Sequence, residues 1–407
     1  MRVLVPNLGS TSLKYQLIEM TDERILARGK IERIGDEQSQ FTTWDSNGKA
    51  SETVACIPNH RVAVEMLIDR LSQFEQGNQP ANGLEAVGFK AVHGGARYQG
   101  SFPVTGDMLK AMIDLIPAVP IHNPVYIQAM HIFREVLPGV PMVAVFETAF
   151  HATIPEPARV YGIPYEWTEK YGIRRYGFHG SSHRYVSQRV PEILQRSPTN
   201  LRLVSCHLGG SSSICAVLNG KSVDTSFGFS GQSGLEHGTR CGDLDPFAVL
   251  YIMEREKLAA SGIAEFLCRK GGLLAISGVS NDLRDIEKAA AKGHDRAKLA
   301  LQVFNYQIKK FIGAYGAAMG GLDAVAFAGG IGENSHMVRQ EVCRGLEFLG
   351  IHLDAEKNRA RGSGDRILSR ADSPVAVLLV YTNEEIIVAR ETVRVLGSAD
   401  RGQALLA

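Results

Sequence analysis

One hairpin is written twice into this chain of 407 residues, and the repeat narrows the folds open to it. Near the N-terminus the apolar run 3–5 leads into Asn7-Leu8-Gly9-Ser10-Thr11-Ser12 and out through the apolar-rich run 13–18. Two hundred positions later, run 203–206 leads into His207-Leu208-Gly209-Gly210-Ser211-Ser212-Ser213 and out through run 214–218. Leu8-Gly9 falls on Leu208-Gly209 and Ser12 on Ser212. Each copy reads as strand, Gly/Ser turn, strand. Glycines let backbone N–H groups approach a ligand and hydroxyls add donors, so either turn suits a phosphate; an ordinary hairpin turn has the same composition. A chain this long exceeds what one core organises, and its 44% hydrophobic content supplies two. Two domains, each opening on this hairpin, are expected: 1–150 and 151–385.

Charge excludes some partners. Forty-four Lys and Arg against 43 Asp and Glu leave +1, which gives no overall electrostatic footprint for nucleic acid or an anionic membrane. The expected partner is a small molecule. Six cysteines without CxxC spacing fit free thiols in a reducing cytoplasm. The first apolar run is cut by Pro6, unlike a secretory segment, and no run of 18 apolar residues is present.

Several further segments deliver polar residues to strand ends or helix starts. A buried strand at 86–89 ends in Lys90-Ala91-Val92-His93-Gly94-Gly95, and the strand 141–146 ends at Glu147. Pro120-Ile121-His122-Asn123-Pro124 precedes a helix at 125–136, with Asn123 as a possible cap. The segment 174–183 packs two arginines, two histidines (His179, His183) and two serines around glycines; either Ser181 or Ser182 could cap the helix that follows. Gly238-Thr239-Arg240-Cys241-Gly242-Asp243 holds an arginine between glycines, an arrangement that suits an anion or a local ion pair. Leu299, Val303, Phe304, Ile308, Phe311, Ile312 and Tyr315 recur at helical spacing and are expected in a core. After the strand 324–328, Gly329-Gly330-Ile331-Gly332-Glu333-Asn334-Ser335 is expected to form a turn exposing unpaired N–H groups at a helix start, with the helix at 336–348. A strand at 375–380 and a helix from 386 close the chain, with Thr382 or Asn383 as cap.

Residues 7–14, 174–183, 238–243 and 329–335 together make the chain resemble the acetokinase family of acetate and propionate kinases, in family order and spacing from residue 3 to about 392. The resemblance implies an α/β fold of the duplicated actin, sugar-kinase and Hsp70-like (ribonuclease H-like) type, with a five-stranded mixed sheet in each domain, a nucleotide cleft between domains, and the closing helix at about 386–396 returning to the first domain. It implies a cytoplasmic homodimer that uses ATP, with Mg²⁺ or Mn²⁺, to convert a short carboxylate reversibly to its acyl phosphate by in-line transfer. Asn7 and Glu384 would organise the metal. Ser10, Ser12 and Lys14 would form the first phosphate loop, and His207, Gly209, Gly210 and Ser211 the second. His179 and Arg240 would face the transferring phosphoryl group, with His122 and Glu147 assisting. Asp282, Leu283, Arg284, Gly330, Ile331, Gly332 and Asn334 would hold adenosine. Val92, Ile121 and Phe178 would take the alkyl end of the acid.

Against the family pattern, Lys90 stands for an arginine that grips the carboxylate and offers a point charge in place of a planar fork. Glu147 stands for an aspartate, reaching about 1.5 Å further. Gly210 replaces an asparagine, Ser211 a glycine, Gly231 a proline of the alkyl pocket, and Glu236-His237 an apolar pair. These departures leave the acid open, with a longer or more polar one favoured. They also motivate two alternatives: a catalytically weakened nucleotide-binding regulator, and a sugar or polyol kinase using Glu147 as base.

Overall fold

The computed structural model describes residues 1–73 and 83–404. It separates into two compact units, Met1–Ala149 with Asn383–Ala407, and Phe150–Thr382.

The first unit is built on an eight-stranded mixed sheet, in the order β5-β4-β3-β2-β1-β6-β8-β7. Strands β1 (Arg2–Gly9), β2 (Ser12–Glu19), β3 (Arg24–Glu32), β4 (Ser39–Asp45) and β5 (Ala50–Ala55) form an antiparallel meander. The polar stretch 31–59 is therefore largely strand, and it widens the sheet beyond five. Strands β6 (Leu84–Ala91) and β8 (Met142–Phe146) run parallel to β1 and are apolar nearly throughout, as strands covered on both faces must be; β7 (Ser101–Pro103) closes the edge. Successive residues of β6 face opposite ways. Val87 and Phe89 enter a core with Met130 and Phe133 of helix Asn123–Val136, while Gly88 lies under helix Glu384–Ala404, where a Cβ would strike Thr392 and Val388.

The second unit carries a six-stranded sheet, β11-β10-β9-β12-β14-β13. Strands β9 (Arg202–His207), β10 (Ser213–Leu218) and β11 (Lys221–Thr225) are antiparallel, β12 (Ala324–Ala328) and β14 (Ala376–Leu379) continue in parallel with β9, and β13 (Arg366–Ile367) is an antiparallel edge. One face packs on helix Asp295–Ala318 through Val204, Cys206, Val325, Phe327, Phe304 and Ile308. The other packs on helix Gly180–Leu194 through Leu203, Cys215, Ala326, Val186 and Val190. The helical stripe differs from the expected one at its start: Leu299 is 49% exposed, and Ala297 and Ala300 line the core instead. Small side chains let that end of the helix lie close to its neighbours, and counting only large apolar residues misses them. Among the described residues no helix is long and apolar enough to cross a membrane.

Candidate active site

In the first unit, three neighbouring parallel strands deliver polar groups at one end. Asn7 lies in β1, Lys90 in β6 and Glu147 immediately after β8, its N–H donating to Ala91 O at 2.8 Å. The Tyr126 hydroxyl donates to Asn7 Oδ1 at 3.0 Å. Lys90 Nζ forms an ion pair with Glu384, in the first turn of helix Glu384–Ala404. Burial alone would lower the lysine pKa, but Glu384 and Glu147 outweigh it and hold the value well above the ordinary one. Burial raises the Tyr126 phenol to about 12 and also raises Glu385. Asn383 Oδ1 caps the helix by accepting from Ile386 N at 3.2 Å. Asn123 is no such cap. It is buried and donates to His93 O at 3.0 Å and to Met112 O at 2.8 Å, pinning the segment after β6, while His122 occupies the helix cap position without a side-chain capping bond. Ser10 and Lys14 are exposed on the first hairpin and Ser12 is half-buried. Val92 packs on this unit's core, and Ile121 is half-buried in the turn before His122.

In the second unit, the ring of Phe227 is the meeting point. His179 lies edge-on to it at 5.2 Å, Phe178 at 5.5 Å, His237 stacks on it at 5.1 Å, and the Arg240 guanidinium sits 5.9 Å from its centroid. Arg240 is 7% exposed, donates to Gly231 O, and among the described residues has no carboxylate within ion-pair reach. Burial lowers its pKa to about 10, so it stays cationic at neutral pH. A buried cation held by a carbonyl is a seat for an anion. Gly231 makes room for it, since a Cβ there would lie 3.0 Å from Nη1. His179 precedes helix Gly180–Leu194 with φ 56, a left-handed conformation unusual for a residue with a Cβ. Its ring lies 4.2 Å from that of His207, whose Nδ1 bonds Ser182 Oγ at 2.7 Å. Ser182 therefore serves a histidine and does not cap the helix. Within this cluster His237 Nε2 is buried with no hydrogen-bond partner among the described residues, as are Gln232 Oε1 and Glu236 Oε2 of the same segment.

A cavity of about 750 Å³ lies beside the second hairpin turn, lined by Gly209, Gly210, Asp282, Leu283, Arg284, Gly330, Ile331 and Asn334, with Asn281, Glu287 and Ser335 completing the wall. Its volume suits a nucleoside. Hydrogen bonds from Arg284 hold the Asp282 carboxyl down at about 2. Gly332 and Ser211 are not among its lining residues. The glycine segment corrects the sequence expectation: Gly329–Asn334 is itself a short helix, followed by helix His336–Cys343, which ends before residue 348. Its amides are largely used, because Gly329 N donates to Glu333 Oε1, and Ile331 N and Gly332 N both donate to Leu208 O. Gly329 has φ +74, and a Cβ would lie 2.7 Å from Leu208 O, so only glycine fits this approach.

Sequence patterns give no site role to Tyr126, Asn281 or Glu287. Glu287 stands four residues after Leu283, the helical spacing that puts both on one face; the others carried no local signal.

A profile described as "Acetokinase family" matches residues 2–390. An acetate kinase of Geobacillus sp. (strain WCH70) is 48% identical over 399 residues, covering 97% of this chain and 98% of that protein. One of Thermoanaerobacterium thermosaccharolyticum is 48% identical over 400 residues, covering 98% and 100%. Among solved structures, Porphyromonas gingivalis acetate kinase superposes with a TM-score of 0.86 at 40% identity, covering 97% and 99%; a propionate kinase from Francisella tularensis gives 0.88 at 35%, covering 96% and 98%.

Proposed function

This chain belongs to the acetokinase family, and from that membership we propose how its residues divide the work. It is a phosphotransferase of the duplicated α/β, actin- and sugar-kinase-like fold that phosphorylates a short-chain carboxylate with ATP. The regulator and sugar-kinase alternatives have no support among these relatives.

Phe150–Thr382 is read as the nucleotide domain, with adenosine against Asp282–Arg284, Gly330, Ile331 and Asn334. The observation that carries the reading is the 750 Å³ cavity, whose wall is largely the residue set the sequence assigned to adenosine. Arg240 and His179 act on the phosphoryl group. A carboxylate oxygen attacks the γ-phosphorus as the bond to the ADP oxygen breaks. The acid is already ionised at pH 7, so no general base is needed, and rate comes from positioning and from neutralising charge on the equatorial oxygens. Met1–Ala149 with the closing helix is read as the second functional domain, supplying Lys90, Glu147, Asn7 and Glu384. Two carboxylates and an amide oxygen are the hard donors Mg²⁺ takes, in company with phosphate oxygens and water. Asn7, Glu147 and Glu384 would hold it, and when bound it offsets phosphate charge. Among the described residues no three His, Cys, Asp or Glu gather as a cage, so the proposed site joins two carboxylates to the Asn7 amide.

The acid is read as longer or more polar than acetate, which the buried, unpartnered Nε2 of His237, stacked on Phe227 in the cluster with Arg240, supports. A hydroxamate assay with ATP and Mg²⁺ over acetate, propionate, butyrate and lactate tests both activity and choice. Acyl phosphate from none of them refutes the site; a clear preference for acetate refutes the polar-acid reading.

A homodimer in the cytoplasm is proposed as well. Helix Pro246–Glu256 has no buried residue, and Phe247, Leu250 and Tyr251 form an exposed apolar stripe fit for a second copy. Six free cysteines support the reducing compartment. Light scattering should give twice the chain mass, and Phe247→Asp should halve it.

A further inference from the structure

Behind His179 runs a chain of three hydrogen bonds through the interior of the second unit. Ser205 Oγ meets His183 Nδ1 at 2.9 Å, His183 Nε2 meets Ser213 Oγ at 2.8 Å, and Ser213 Oγ meets His179 Nδ1 at 2.8 Å. Ser205, His183 and Ser213 are fully buried. They come from β9, helix Gly180–Leu194 and β10, so no single element can shift without breaking the chain.

Counting hydrogens gives the chain a direction. A neutral imidazole donates at one nitrogen and accepts at the other, and each hydroxyl has one hydrogen. Burial disfavours the cationic form of His183, and the neighbouring His151 and His207 add to it, so this ring is neutral. Among the described residues the Ser205 hydroxyl finds its hydrogen-bond partner in His183 Nδ1. If Ser205 donates to that nitrogen, His183 Nε2–H donates to Ser213, Ser213 donates to His179 Nδ1, and every buried hydrogen has an acceptor. The opposite direction strands the Ser205 hydrogen in the interior. With Nδ1 accepting, the proton of neutral His179 is on Nε2.

We infer that Ser205, His183 and Ser213 form a relay that holds His179 in the Nε2–H tautomer, which makes them positioning residues for phosphoryl transfer. A ring facing a phosphoryl oxygen must donate, and this tautomer donates from the ring edge opposite the relay. The inference rests on the reading that His179 faces that group.

The test uses full-length protein labelled with ¹⁵N-histidine, read by long-range ¹H–¹⁵N correlation at a pH where the rings are neutral, for wild type, Ser205→Ala and Ser213→Ala. Wild type should show His179 protonated at Nε2. Ser205→Ala, three hydrogen bonds away from His179, removes the hydrogen that sets the direction, so both His179 tautomers should appear. An equal mixture halves the competent fraction and lowers kcat about twofold. Ser213→Ala should also release the tautomer. A wild-type His179 protonated at Nδ1 overturns the relay, and needs no variant to fold; an unchanged tautomer in folded Ser205→Ala overturns it too. If His179→Ala keeps full activity while the tautomers behave as stated, the relay stands and the catalytic reading of His179 falls.

Discussion

Separating Lys90 from Glu384 should cost the first unit about 2 kcal/mol, and the cost should reveal itself as coupling. The two side chains keep 20% and 13% of their exposure. Breaking a fully buried pair costs about 3–5 kcal/mol because the remaining charge is stranded. Partial exposure and the nearby Glu147 reduce that to about 2 kcal/mol for Glu384→Gln, and to a similar value for Lys90→Met. The double variant strands neither partner and should also cost about 2 kcal/mol, leaving a coupling of about 2 kcal/mol in a double-mutant cycle. For a unit of this size each single change lowers Tm by about 4–8 °C. Trp44 lies in β4 of the first unit and Trp167 in the second, 48% exposed, so fluorescence in a Trp167→Phe background follows the right unit. The folded-state pKa of Lys90 is raised, so its stabilisation is fully present below the ordinary lysine value, about 10.4, and is lost only as pH rises through the folded value. The cycle should therefore read the same at pH 6 and pH 9. Additive single effects, or a coupling that vanishes by pH 9, would refute the reasoning.

Three other outcomes follow from single positions. Gly329→Ala should destabilise the second unit by about 2–3 kcal/mol and raise the KM for ATP, because φ +74 and the approach to Leu208 O both resist a side chain; an unchanged melting curve contradicts this. Gly210→Asn should leave stability within about 0.5 kcal/mol, since nothing lies within 4 Å of its Cβ, while lowering the ATP KM about tenfold through one charge-assisted bond; an unchanged KM would show that backbone amides suffice. Burial depresses His151 to about 4, so its neutral form contributes stability fully above about pH 6.5, lost as pH falls toward 4 at about 1.4 kcal/mol per unit. Denaturant titrations at pH 7, 6 and 5 should show a shallower fall for His151→Gln than for wild type.

Individual strands were legible where the pattern was local. The duplicated hairpin appears as β1–β2 and β9–β10, and the apolar runs at 86–89 and 324–328 are central strands, because covered parallel strands must be apolar throughout. Small residues were harder to read. Ala297 and Ala300 were overlooked beside Leu299, and Gly329–Asn334 read as a turn although tertiary contact with Leu208 makes it helical. Asp282, Leu283, Arg284, Gly330, Ile331 and Asn334, which lie in short contiguous motifs, come together in one cavity wall. Longer-range partners were not legible: Ser205, Ser213 and Tyr126 reach His183, His179 and Asn7 across 22, 34 and 119 positions, and no spacing rule connects them.

The Leu208 peptide, whose carbonyl takes the amides of both Ile331 and Gly332 and whose N–H is held by Ala328, joins two segments more than a hundred positions apart into one rigid seam. If the cavity takes the nucleotide as proposed, base preference and phosphate affinity are linked on that side: a substitution that shifts Ile331 also pulls on Leu208 and the glycines that follow it. The Arg284 side chain, by contrast, is braced by Asp282 within its own turn. Under the proposed function, redesign of the nucleotide donor is best begun at Arg284, whose side-chain bonds among the described residues stay within its own turn.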